Sequence, residues 1–152
     1  MHRETLVIVT PALGSANNGN WQTARRWASM LRPAYRVHLT DRWDGGASRD
    51  EALMIALHAR RSAGSIAAWR TAHPERPLML VLTGTDLYRD IAVDAAAQAS
   101  LEHASHIVVL QELGPQALPE RLQAKCRVIY QSTTARKTLT KPTRLLRAVM
   151  VG

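Results

Sequence analysis

The chain is poor in residues that form covalent cross-links or cross membranes. It has one cysteine, Cys126, among 152 residues, which excludes an internal disulfide and leaves no cysteine pair with the usual zinc-ligand spacing. A run of roughly 18 apolar residues, which a membrane-spanning helix needs, does not occur in the sequence. The first residues lead directly into the apolar run Leu6–Val9 and give no signal-peptide pattern. We therefore expect a cytoplasmic protein with no membrane span and no metal site.

Common phosphate and nucleic-acid signatures are also missing. The glycines after the first apolar run fit neither G-x-G-x-x-G nor G-x-x-x-x-G-K-[ST]. No dense basic cluster or alternation of aromatic and basic residues, as nucleic-acid surfaces often show, stands out. We therefore expect a small-molecule ligand and no nucleic-acid partner.

Positive charge and apolar content are what the chain does have. Twenty lysines and arginines against twelve aspartates and glutamates give a formal charge of +8, which favours anionic ligands. Because 46% of the residues are apolar, a chain of this length can bury one good core, and we expect one domain.

Apolar runs alternate with helix-like stretches along the chain. Predicted strands occupy 6–10, 35–40, 52–57, 78–82, 106–110 and 127–130. Predicted helices occupy 20–32, 59–72, 91–103 and, interrupted near two prolines, 111–124. This alternation predicts right-handed β-α-β units, and hence an α/β fold with a Rossmann-like parallel sheet and helices on both faces. Ligands of such sheets lie beyond the carboxyl ends of the strands.

A polar loop after the first strand is the strongest local signal for a ligand. It contains Asn17, Asn18, Gly19 and Asn20, and a predicted helix follows it. A loop of this kind gives an anion site, because its amides and the helix N-terminus face the phosphate. We predict that these four residues bind a phosphorylated ligand.

A second candidate loop follows the third predicted strand and contains His58, Arg60, Arg61 and Ser62. Arginine forks match the geometry of phosphate, and the amides of a helix start add to them. The alternative for His58 is a histidine hydrogen-bonded to the backbone in a solvated first turn.

A third candidate loop follows the most apolar strand and contains Thr83, Gly84, Thr85 and Asp86. It brings two hydroxyls, a flexible backbone and a carboxylate to one point, which favours a functional role. The alternative for Asp86 is to cap the next helix, a common role of aspartate. Elsewhere, packing is the better interpretation of Cys126.

Five stretches together have the pattern of a known family. They are Thr10-Pro-Ala, Asn17-Asn-Gly-Asn-Trp-Gln-Thr-Ala-Arg-Arg-Trp27, Asp41-Arg-Trp-Asp-Gly45, Leu57-His-Ala-Arg-Arg-Ser62 and Leu82-Thr-Gly-Thr-Asp-Leu-Tyr-Arg-Asp90. Through them the chain resembles the N-terminal half of GT-B glycosyltransferases of family four, most closely the selenosugar synthases of selenoneine biosynthesis. The resemblance spans nearly the whole chain.

The resemblance implies a two-domain enzyme that transfers N-acetylglucosamine from UDP-N-acetylglucosamine to selenophosphate, with no cofactor. It implies that residues 1–147 form the Rossmann-like acceptor-side domain, and that 148–152 begin a strand leading to a C-terminal donor-binding domain. The acceptor-side half alone is then not expected to catalyse transfer. The pattern of 148–152 also fits a last edge strand.

The resemblance also implies roles for individual residues. Gly19 would lie near the donor diphosphate and the reacting centre, and His58 would face the cleft. Thr83 departs from the pattern, because many relatives have a titratable histidine there. An ionised selenophosphate needs no general base, so this loss is chemically tolerable. Arg60, Arg61 and Thr85 are expected to orient the acceptor, and Asp86 to contact a sugar hydroxyl. The catalytic candidates are His58, Thr83 and Asp86.

Three other functions remain open from the sequence. One is a stand-alone binding domain for a phosphorylated metabolite, and another is a glycosyltransferase with another acceptor. The third is an interaction module whose basic segment 136–147 meets an acidic partner or nucleic acid.

Overall fold

The structure is a computed structural model that describes residues 3–16, 18–45, 50–135, 137–138, 140 and 145. Asn17 and the predicted strand 148–152 lie outside these ranges, and so does most of the basic segment 136–147.

A six-stranded sheet forms the centre of the domain. Its strands are β1 (Thr5–Val9), β2 (Arg36–Thr40), β3 (Glu51–Leu57), β4 (Leu78–Leu82), β5 (His106–Val109) and β6 (Cys126–Val128). They lie in the order β2-β1-β3-β4-β5-β6, and every neighbouring pair is parallel. The predicted α/β Rossmann-like sheet is therefore confirmed. The strand order reverses at β1, so the gap between the ends of β1 and β3 is the topological switch point where such sheets bind ligands.

Helices connect most of the strands. They are α1 (Gly19–Leu31), α2 (Ala63–Ala72), α3 (Ile91–Val93), α4 (Ala95–His103) and α5 (Glu120–Gln123). Short 3-10 turns occupy Gly14–Ala16 and Gly114–Ala117, and a π-helical turn occupies Asp86–Asp90. In the described part of the chain, none of the helices has the length and apolar character needed to span a bilayer.

The two faces of the sheet bury separate apolar clusters. On one face, Leu6 and Ile8 of β1 pack with Trp27 of α1. On the other face, Val7 belongs to a larger cluster that includes the fully buried Trp69 of α2. Burial on both faces explains why the central strands read as continuous apolar runs.

Three predicted helices differ from the structure. The helix expected over 91–103 is divided into α3 and α4, because Asp94 between them is extended, with φ −109° and ψ 118°. The helix expected over 59–72 begins at Ala63, because the backbone turns sharply at His58, where φ is 72°. The helix expected over 111–124 consists of a 3-10 turn and the short α5. Leu118 between them is extended, with φ −88° and ψ 148°, since a residue before proline disfavours the helical conformation.

Candidate functional site

A cleft of about 370 Å³ opens at the carboxyl ends of β1, β3 and β4. It lies at the topological switch point of the sheet, where open α/β sheets bind ligands. The residues that line it are Asn18, Gly19, Asn20, Thr23, His58, Arg60, Arg61, Thr83, Thr85, Arg89 and Gln131. The structure thus brings together residues from all three predicted loops. Of the other predicted residues, Ser62, Gly84 and Asp86 do not line the cleft, and Asn17 is not described.

The start of α1 forms one wall of the cleft. The side-chain oxygen of Asn18 accepts a hydrogen bond from the Trp21 amide at 3.1 Å and caps the helix. Thr23 Oγ1 donates to the Gly19 carbonyl at 3.0 Å and accepts from Gln131 Nε2 at 3.0 Å. The N-terminus of α1, with its partial positive charge, therefore lies beside a polar wall.

His58 ends β3 with its imidazole buried beside the cleft. Its Nδ1 accepts from the Arg61 amide at 3.4 Å, so the proton of the neutral ring is on Nε2. That nitrogen lies 4.0 Å from Asp90 Oδ2. Burial lowers the pKa of His58 below 6.5, although the carboxylates of Asp86 and Asp90 favour its protonated form. The ring is therefore neutral at physiological pH.

Asp86 joins the two loops that follow β3 and β4. Its carboxylate is fully buried. Oδ1 accepts from the amides of Thr83 and Gly84 at 2.9 and 3.0 Å, and Oδ2 accepts from the amide of Ala59 at 3.0 Å. Both oxygens thus bind backbone, and the observed contacts of Asp86 hold the loops together. They differ from those of a helix cap, because the bonded amides precede the side chain.

Ser62 and Gly84 shape the backbone behind the cleft. The hydroxyl of the buried Ser62 donates to the Leu57 carbonyl at 2.6 Å, across the turn that ends β3. Gly84 has a φ of 137°, a backbone conformation that residues other than glycine rarely adopt. Each residue fixes the path of a loop, and neighbouring residues line the cleft.

Arg60 and Arg89 meet at one buried carboxylate. Arg60 Nε donates to Oδ2 of Asp90 and Arg89 Nε donates to Oδ1, both at 3.0 Å. Asp90 is 3% exposed. Burial alone would raise its pKa, but the hydrogen bonds from Arg89 and Arg60 lower the pKa below its ordinary value. Asp90 is therefore ionised, and with Arg61 nearby the cleft has more cationic than anionic side chains.

Four residues of this region had not been assigned a role from the sequence: Thr23, Arg89, Asp90 and Gln131. The spacing of Asp86 and Asp90 is a signal that could have found Asp90, because residues four apart share one side of a helical turn. Gln131 gave no local signal, since its partner Thr23 is 108 residues away.

Neither a metal centre nor an activated cysteine is found among the residues that the structure describes. Within the described ranges, no group of three or more histidine, cysteine, aspartate or glutamate side chains is placed to hold a metal ion. Cys126 is buried, and burial raises the pKa of its thiol. A buried thiol of raised pKa is unreactive, which agrees with a packing role for Cys126.

Comparison with known proteins gives no family assignment: no protein-family model and no curated protein sequence matches this chain. The function of the cleft must therefore be inferred from its geometry, burial and charge. What the arrangement provides is a set of guanidinium groups, hydroxyls and helix-start amides, which together suit an oxyanion.

Proposed function

We propose that this chain is the acceptor-side domain of a GT-B glycosyltransferase that transfers N-acetylglucosamine from UDP-N-acetylglucosamine to selenophosphate. One observation carries the proposal: arginines from the loops after β3 and β4 meet in one cleft beside the N-terminus of α1. The identities of the donor and acceptor rest on the family resemblance of the five sequence stretches. In this proposal a second domain holds most of the donor.

The charges of the cleft suit a small acceptor with several negative charges. Arg60 and Arg89 each donate a hydrogen bond to Asp90 through Nε, and their terminal nitrogens make no hydrogen bond to the described residues. Guanidinium groups bind the oxygens of phosphate-type anions in planar, charge-assisted pairs. The N-terminus of α1 adds a partial positive charge on another wall of the same cleft. Selenophosphate would bind between these two walls.

The proposed reaction needs little proton transfer from this domain. Selenium of the ionised acceptor attacks the anomeric carbon, the carbon–oxygen bond to UDP breaks, and UDP leaves with the electron pair. His58 is neutral and buried, and Thr83 does not titrate near neutral pH, so neither is required as a base. Their role is to contact the bound anion and keep its selenium oriented, which lowers the barrier by positioning.

Replacing Arg61 tests whether the cleft binds the anion. We expect Arg61→Ala to weaken binding of thiophosphate, a sulfur analogue of the acceptor, by about tenfold, because one charge-assisted hydrogen bond is lost. The measurement is calorimetric titration. Arg121→Ala is the matched control, because Arg121 pairs with Glu102 on the surface and does not line the cleft. An equal loss in both variants would mean that net charge alone attracts the anion, and would contradict the proposal.

A stand-alone binding domain for a phosphorylated metabolite would use the same cleft. The two functions differ in what happens to the bound anion. Once a donor-binding domain is present, the proposed enzyme transfers the sugar to the anion, whereas a binding domain leaves its ligand unchanged.

A further inference from the structure

Asp90 is more deeply buried than the two arginines that it binds. It ends the π-helical turn Asp86–Asp90, and its carbonyl accepts from the Asp94 amide at 2.8 Å. At the other end of the turn, Asp86 is fixed by three backbone amides. The side chain of Asp90 is 4% exposed, whereas those of Arg60 and Arg89 are 44% and 64% exposed. A buried anion therefore binds the Nε ends of two more exposed cations at the cleft.

We propose that Asp90 is a positioning residue that holds Arg60 and Arg89 as a fixed pair of guanidinium groups for a tetrahedral oxyanion of the phosphate class. The ligand class rests on the function proposed above, whereas the pairing rests on the contacts of Asp90 alone. Long flexible side chains lose rotamer freedom when they bind a ligand. A pair that is already fixed loses less, and so binds more tightly.

Charge and positioning make opposite predictions for the removal of Asp90. Asp90 is negative and lies next to the cationic cleft, so its charge opposes the binding of an anion. If Asp90 acts only through its charge, Asp90→Asn tightens anion binding. If it acts by positioning the arginines, Asp90→Asn weakens binding even though the cleft becomes more positive.

The first measurement detects the pair without any ligand. We expect NMR of the arginine Nε–H groups to give two signals that exchange slowly with water, assigned through Arg60→Lys and Arg89→Lys. Asp90→Asn removes the anionic acceptor and should lose both slow signals. If both signals persist in Asp90→Asn, or are fast in the unchanged chain, Asp90 does not hold the pair.

The second measurement is calorimetric titration with inorganic phosphate. We expect Asp90→Asn to weaken phosphate binding about tenfold, the effect of one charge-assisted contact. Asp94→Asn is the matched control: it removes the same charge four residues away, and asparagine keeps the N-cap that Asp94 provides to the Ala97 amide at 2.8 Å. That control should bind phosphate at least as tightly as the unchanged chain. Affinity in Asp90→Asn equal to or tighter than that of the control would overturn the proposal.

Two further outcomes are decided by other readouts. If Asp90→Asn does not fold, Arg89→Lys decides, because it keeps the charge and loses the planar fork: weaker phosphate binding supports the pair, and unchanged binding overturns it. If the unchanged chain binds no phosphate, the ligand class and the function proposed above both fail. The Nε–H signals then still show whether Asp90 holds the two arginines, so the two failures are distinguishable.

Discussion

Two aspartates four residues apart organise the cleft in different ways. Among the described residues, the carboxylate of Asp86 accepts from three backbone amides and fixes the loops after β3 and β4. The carboxylate of Asp90 accepts from two arginine side chains and fixes cationic groups. His58, with its ring buried and its backbone at positive φ, lies 4.0 Å from Asp90 and feels the charge of both carboxylates. At this scale, carboxylates that do not line the cleft determine what the cleft presents to a ligand.

The buried imidazole of His58 should make the fold sensitive to weak acid. Its folded-state pKa is lower than the ordinary 6.5, so the unfolded state binds more protons, and stability falls as the pH drops below that value. Asp90, also with a lowered pKa, acts in a separate range: its contribution is present above 3.8 and is lost as the pH falls through its lower folded value.

Replacing His58 tests this dependence. We expect the melting temperature of the unchanged chain to fall between about pH 7 and pH 5, and the fall to be smaller in His58→Asn. Asparagine is a suitable substitute because it also adopts positive φ. His106→Asn, which removes an exposed imidazole at the start of β5, is the control. A pH dependence that is the same in His58→Asn and in the unchanged chain would contradict the role of His58.

At the scale of elements, the loop after β4 depends on one glycine. Gly84 has a φ of 137°, and a Cβ added there would meet no atom within 4 Å. Gly64 of α2 has equally open space and an ordinary helical backbone. The two glycines therefore separate the cost of backbone strain from the cost of crowding.

We expect opposite effects of alanine at these two glycines. Gly84→Ala should destabilise the fold by about 1–3 kcal/mol through strain alone, and should weaken phosphate binding because the loop moves. Gly64→Ala should stabilise it by about 0.5–1 kcal/mol, since alanine favours the helix. Urea unfolding measures both. Equal effects of the two substitutions would mean that the loop does not require positive φ.

The sequence predicted elements best where burial is uniform. The run Leu78–Leu82 was predicted with the bounds that the structure gives, because a central parallel strand is apolar on both faces. The helix over 59–72 was predicted too long, because the chain first makes a sharp turn at His58, where φ is 72°. A long-range contact holds this turn: the Ala59 amide binds Asp86, 27 residues away. The local pattern of apolar residues gives no information about such contacts.

The candidate site was predictable as a set of loops and not as a set of contacts. Parallel strands end at one edge, so polar loops after β1, β3 and β4 had to meet there. The role of Asp90 depends on Arg60, 30 residues earlier, and on Arg89, its neighbour in the chain. Only the folded chain shows that these two arginines share one carboxylate.

At the scale of the whole molecule, the formal charge of +8 favours the approach of anions in general. Binding of an anion in the cleft must therefore be distinguished from this general attraction. The carboxyl edge of the sheet gathers three loops and the start of α1 at one place. Selectivity between anions of different shape, rather than affinity for anions in general, is the property that this arrangement predicts.

The central claim is most directly tested by parallel calorimetric titrations of this chain with selenophosphate, thiophosphate and UDP-N-acetylglucosamine. The account predicts that the two small anions bind and that the nucleotide sugar binds little or not at all, because the cleft is an acceptor site. Tight binding of UDP-N-acetylglucosamine, or binding of none of the three, would contradict it.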